Sequence, residues 1–180
     1  GQSIGTPLSF GGPTVGWFAT KKDLARLVPG RIIGETIDNN HKKTYVMTLR
    51  AREQDIRREK ASSNICTNQT LNAIGSAIHL SLMGPEGIYQ VGYQAIQKAI
   101  YMKSELIEKG FNVINDESSL REFIVETMLP AKKIVSEMGN RGFLAGIEYS
   151  ENLLLVALTE KRTKDEIDNY VKQFSEVNHG

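Results

Sequence analysis

Between residues 65 and 83 the apolar positions Ile65, Leu71, Ile74, Ile78 and Leu82 recur near the helical period, which predicts a helix that Gly84 and Pro85 interrupt. Pro85 and Glu86 suit the first turn of a second helix. Proline lacks the N–H that would go unpaired there, and a carboxylate favours the positive end of the helix dipole. That helix is expected to reach about Lys109, with Gly110 as its C-cap. Pro130 opens another helix to about Met138. Thr163 begins a capping box with Glu166, leading an amphipathic helix whose apolar face is Ile167, Tyr170, Val171 and Phe174. The compact β-rich runs 111–114, 122–126 and 153–158 read as strands between these helices.

The front of the chain has a different texture. Residues 1–14 hold Gly1, Gly5, Gly11, Gly12 and two prolines with few charges, the signature of a loop that brings backbone close to something. Residues 15–20 read as a buried strand and 21–28 as a short helix stopped by Pro29 and Gly30. The runs 31–37 and 43–49, separated by the polar turn 38–41, predict a hairpin. Strands alternating with helices around one sheet give an α+β domain over residues 61–180. Residues 1–60 read as the end of another domain with its connecting segment. No fixed-period repeat, low-complexity segment or Gly/Ser-rich linker separates them, so direct packing is expected.

Composition narrows the class. At 180 residues and 40% hydrophobic, the chain is long enough to bury a sizeable core. Its 22 basic and 21 acidic residues leave a formal charge of +1, which supplies no field for nucleic acid or an anionic membrane. No apolar run approaches the roughly 20 residues that span a bilayer. The lone Cys66 forms no internal disulfide, so a reducing, cytoplasmic setting is expected. The opening Gly1-Gln2-Ser3-Ile4-Gly5 reads as neither a natural N-terminus nor a signal peptide, and the chain is expected to begin mid-protein.

Candidate chemistry is sparse. His41, His79 and His179 are isolated and Cys66 has no second cysteine, so no metal site is expected. Cys66 reads as a small core residue and His79 as a packed or rim histidine; neither supports a catalytic triad. The stretch around Gly11 and Gly12 lacks the dinucleotide and P-loop patterns. It reads equally as close backbone approach to a cofactor or neighbouring subunit and as a tight entry to a strand. The charged run 50–60 is by default a solvated helix face. Ser62, Ser63 and Asn64 follow it just before the expected helix start at Ile65. There Ser63 or Asn64 caps the helix, and the same donors, with Arg57 and Lys60 nearby, suit a phosphate or carboxylate. The two roles are compatible.

Three ordered segments, 7–13, 29–36 and above all 52–69, closely resemble the glycine cleavage P-protein family, glycine dehydrogenase (aminomethyl-transferring). Asn68-Gln69 looks like the first subunit of its two-subunit bacterial form, while Ser62 stands where relatives often carry threonine. The resemblance runs through the whole chain and is weakest after about residue 115. It implies a fold-type-I pyridoxal 5'-phosphate (PLP) transferase, with this chain holding the small C-terminal domain and the end of the large one. Relatives that carry the cofactor lysine have it upstream of their Gly-Gly-Pro, and an ungapped count back from Gly11-Gly12-Pro13 reaches about Gln2. An amide forms no Schiff base, so the resemblance assigns the PLP-bearing lysine to the partner subunit and no catalytic residue to this one. It implies PLP-dependent glycine decarboxylation and aminomethyl transfer to lipoyl H-protein. It also implies that Ser63 and Asn64, with Arg57 or Lys60, complete the phosphate site of the partner's PLP. The alternatives are a catalytically inert assembly module and a self-contained PLP enzyme using Lys21 or Lys22.

Overall fold

The computed structural model describes residues 1, 4–7, 11–12, 14–49, 53–64, 68–114 and 120–179. Its contacts divide the chain into two compact units, Gly1–Leu82 and Met83–Gly180, a division later in the chain than the compositional boundary at residues 60 and 61.

In the first unit a 3-10 helix, Lys22–Leu27, ends ahead of Gly30, whose φ of 82° needs a glycine. Strands β1 (Ile32–Ile37) and β2 (Lys43–Thr48) then pair antiparallel, Ile32 opposite Thr48 and Ile37 opposite Lys43. The turn is built by Asp38, whose Oδ1 accepts the backbone N–H of Asn40 at 2.8 Å and of Lys42 at 2.9 Å. The expected strand over residues 15–20 does not form. This segment has no ladder partner among the described residues, and Trp17 and Phe18 are exposed. Apolar content without a partner for the backbone does not make a strand.

The run 54–60 is likewise no continuous helix: α1 (Gln54–Arg57) makes one turn, and a 3-10 turn, Arg58–Lys60, follows. Helix α2 (Thr70–Glu108) starts later than Ile65 and is broken at Gly84. In its first half Leu71, Ile74, Ile78 and Leu82 are exposed, because helical periodicity marks an apolar face without supplying what covers it. Among the described residues every buried apolar side chain belongs to the second unit, while Thr6 and Ser76 are buried in the first. Gly5 lies directly on His79, where a Cβ would come within 2.5 Å of the histidine Cβ.

The second unit is an antiparallel sheet of β3 (Glu122–Glu126), β4 (Ile147–Ser150) and β5 (Leu153–Ala157) in the order β3-β5-β4. Alternate residues Phe123, Val125, Leu154 and Val156 point inward and share one core with α2, α3 (Ala131–Asn140) and α4 (Lys164–His179). Each helix contributes the stripe that its 3.6-residue period dictates. Met102 and Leu106 come from α2, Ile134 and Met138 from α3, and Ile167, Val171 and Phe174 from α4. Gly110, at φ 88°, ends α2, and the Phe111 N–H returns to the Leu106 carbonyl at 3.0 Å. The expected strand 111–114 is reduced to a bridge between Val113 and Val125. Strand β4, which the sequence did not announce, pairs with β5 through a register shift between Glu148 and Ser150.

The capping box forms as expected: the Glu166 N–H donates to Thr163 Oγ1 at 3.2 Å and the Thr163 N–H to Glu166 Oε2 at 2.8 Å. Thr163→Ala removes the first of these bonds from the start of α4 and is expected to lower the stability of this unit by about 1 kcal/mol, read by urea unfolding. An unchanged midpoint would mean that water replaces the cap at no cost.

Candidate functional site

The segment singled out by its chemistry is described from Glu53 to Asn64. Glu53 is extended (φ −81°, ψ 154°) and its carbonyl accepts the Arg57 N–H at 2.9 Å, closing the single turn of α1. At Arg57 the backbone leaves the helical region (φ −122°, ψ 52°), and Ala61 is extended again. Arg57 and Lys60 therefore lie on different short turns, both exposed, while Ser63 is half-buried and Asn64 exposed beyond them. Arg50, Arg52, Ile65 and Cys66 lie outside the described residues.

One expectation is overturned here. Neither Ser63 nor Asn64 caps the following helix, because α2 begins at Thr70 and the Ala73 N–H bonds to the Gln69 carbonyl at 2.9 Å. The Asn68 and Thr70 side chains, which hydrogen-bond to each other, stand at that terminus instead. A donor set remains: a guanidinium, an ammonium, a hydroxyl and an amide within eight positions, interleaved with the acid Glu59. Such donors suit a phosphate dianion, with the exposed cations contributing through a screened field.

For a Schiff base Lys21 and Lys22 do not fit. Lys21 precedes the 3-10 helix and Lys22 begins it, and both are exposed, outside any enclosure that would hold a cofactor against them. Gln2 is outside the described residues. His79 is half-buried against Gly5, the rim position expected of it.

A polar cluster that spacing could not reveal sits in the second unit. Tyr101 donates its hydroxyl to Asp168 Oδ1 at 2.6 Å, and Lys164 Nζ lies 2.7 Å from Asp168 Oδ2 and 4.9 Å from the Tyr101 ring centre. The bonds from Lys164 and then Tyr101 hold the Asp168 carboxyl below its usual range. The bond to Asp168 raises the Tyr101 phenol. Its three members are used on one another, and it ties α4 to α2. Because the folded Asp168 value lies below the unfolded 3.8, its stabilisation is present above that pH and lost as pH falls through the folded value. Asp168→Asn is thus expected to flatten part of the acid limb of a stability profile measured by thermal unfolding from pH 7 to pH 2. An acid limb as steep as the parent's would sink the assignment.

Much of the chain shares its fold with two solved structures. It aligns with a NifS-like protein over 63% of its length (TM-score 0.50, 13% identity). With an archaeal O-phosphoseryl-tRNA(Sec) selenium transferase it aligns over 74% (TM-score 0.50, 12% identity), in each case against 34% of the other chain. These likenesses show a shared fold.

The family follows from closer matches. The model of the glycine cleavage system P-protein matches residues 1–174, and the chain belongs to that family. It is 46% identical to a Staphylococcus haemolyticus protein named "Probable glycine dehydrogenase (decarboxylating) subunit 1", over 98% of this chain and 40% of that one. It is 45% identical to Staphylococcus aureus proteins of the same name. A crystal structure of glycine decarboxylase (P-protein) in inhibitor-bound form aligns with a TM-score of 0.91 at 36% identity, over 98% of this chain and 41% of that one. The chain thus spans about 40% of the length of the curated relatives it matches.

Proposed function

We propose that this chain is a portion of the first subunit of a glycine dehydrogenase (decarboxylating), the one without the cofactor-binding lysine. In this reading it supports glycine decarboxylation and aminomethyl transfer to lipoyl H-protein together with a lysine-bearing second subunit. The observation that carries the reading is the 46% identity over 98% of the chain to a relative named as subunit 1. PLP, bound covalently by the second subunit, supplies the electron sink for loss of the glycine carboxylate. This chain contributes no group to bond making. Arg57 and Lys60 draw the cofactor's phosphate by charge, and Ser63 and Asn64 orient it with directional donors. The exposure of Arg57 and Lys60 supports this role, since groups that serve a neighbouring chain must stand at the surface. The reading places the protein in the cytoplasm, where a reducing milieu suits its single cysteine.

The test is reconstitution of the whole first subunit with its lysine-bearing partner and lipoyl H-protein, following release of labelled CO2 from carboxyl-labelled glycine. Activity is expected from the mixture and from neither subunit alone. Turnover by this subunit alone, with visible cofactor absorbance, would overturn the assignment of the attachment lysine to the partner. Within the assembled enzyme, Ser63→Ala combined with Arg57→Ala is expected to weaken PLP binding ~10-fold or more. Unchanged affinity at full activity would reduce the segment to assembly alone.

A further inference from the structure

The β1-β2 hairpin reverses the usual alternation of a sheet with one face in water. Residues opposite each other in an antiparallel ladder share a face. The register therefore puts Ile32, Gly34 and Thr36 with Thr48, Val46 and Thr44 on one side, and Ile33, Glu35 and Ile37 with Met47, Tyr45 and Lys43 on the other. The first side holds the half-buried positions, Ile32, Gly34, Thr44 and Thr48. The second side faces outward and still carries large apolar groups: Ile33, Tyr45 and Ile37 are 59%, 63% and 67% exposed, with Met47 exposed beside them. Antiparallel sheets normally turn the apolar side inward and the polar side to water. A two-stranded hairpin is also marginal by itself, and this one pairs with no third strand among the described residues. Its outward face is built to be covered.

Two observations select the occupant. Glu35 and Lys43 pair across the strands at 2.7 Å within this face, and Lys43 Nζ lies 6.0 Å from the Tyr45 ring centre. Burial in the interior of a single chain would strip water from that pair at a cost its attraction often does not repay. An interface between subunits combines Met and Tyr contacts with charged groups left at a wet margin. The second observation is position: Thr48 ends the hairpin five residues ahead of Glu53, where the segment carrying Arg57, Lys60, Ser63 and Asn64 begins, and both belong to the first unit. If that segment serves a neighbouring subunit, the hairpin leading into it is placed to meet the same neighbour.

We propose that the face formed by Ile33, Ile37, Tyr45 and Met47 docks on an apolar patch of the second subunit that the relatives' name, subunit 1, implies. The proposal rests on the reading of this chain as part of a first subunit. In the full-length first subunit, hydroxyl-radical oxidation read by mass spectrometry is expected to modify Tyr45 and Met47 readily when the subunit is free and several-fold more slowly once the second subunit is bound. Ile33→Thr combined with Ile37→Thr keeps the branched side chains that suit a strand while removing apolar surface. This variant is expected to bind the second subunit ~10-fold or more weakly in sedimentation, with the melting temperature of the free subunit unchanged. Protection already present in the free subunit, or a large fall in its melting temperature, would show that its own chain or a second copy covers the face and would overturn the proposal. A complex that forms with Tyr45 and Met47 still open sinks the proposal alone, whereas failure of the parent to form any complex sinks the first-subunit reading with it. The footprint is taken on the parent, so it decides even if the variant does not fold.

Discussion

Phe174→Ala is expected to cost the second unit about 3–5 kcal/mol, the range for emptying a fully buried phenylalanine site. Phe174 is 0% exposed. Its ring meets Phe111 edge-on at 5.0 Å between centroids and lies nearly parallel to Tyr170 at 5.7 Å, so truncation breaks two aromatic contacts at once. The core around it draws on five elements, α2, β3, α3, β5 and α4, which cannot all move inward to fill the space. The loss approaches the whole stability of a small domain. Urea titration followed by circular dichroism, with amide exchange at β5, should show the midpoint collapsing. A shift worth less than about 1 kcal/mol would mean that this core is far more plastic than its packing implies.

Gly146→Ala tests backbone rather than side chain. Gly146 has φ 150°, and a Cβ there would sit 2.4 Å from the Leu155 carbonyl oxygen and 3.1 Å from Leu154 Cγ. The first of these is a backbone atom in the β4-β5 ladder, which cannot step aside as a flexible side chain can. Strain and overpacking together are expected to cost about 2–5 kcal/mol, read as a fall in melting temperature. The matched control is Gly110→Ala. It shares a positive φ, 88°, but has open space around the added carbon, so about 1–2 kcal/mol is expected. Equal losses at the two sites would show that conformation and not contact sets the cost.

Several elements were legible in the sequence because their causes are local. The Thr163 and Glu166 capping box, the Gly110 stop, Pro130 at the mouth of α3 and the turn at Asp38 each depend on groups within a few residues. The amphipathic face of α4 was equally readable, since the 3.6-residue period leaves Ile167, Tyr170, Val171 and Phe174 on one side. The family could also be recognised, from ordered motifs whose match to the P-protein extends over residues 1–174.

Elements that depend on distant partners were not legible. Residues 15–20 had the composition of a strand and no ladder partner among the described residues, whereas β4 has exposed side chains throughout and exists because β5 is there to pair with it. Tyr101 and Asp168 lie 67 residues apart and meet only when α4 packs near α2. The candidate site divides in the same way. Sequence alone supplied its donors, Arg57, Lys60, Ser63 and Asn64. The tertiary structure decided that Ser63 and Asn64 stand clear of the helix start at Thr70 and that the cations occupy two short exposed turns. Residue type and short-range spacing travel with the chain. Where a helix begins and which strand finds a mate depend on free energies summed over contacts that only the folded chain creates.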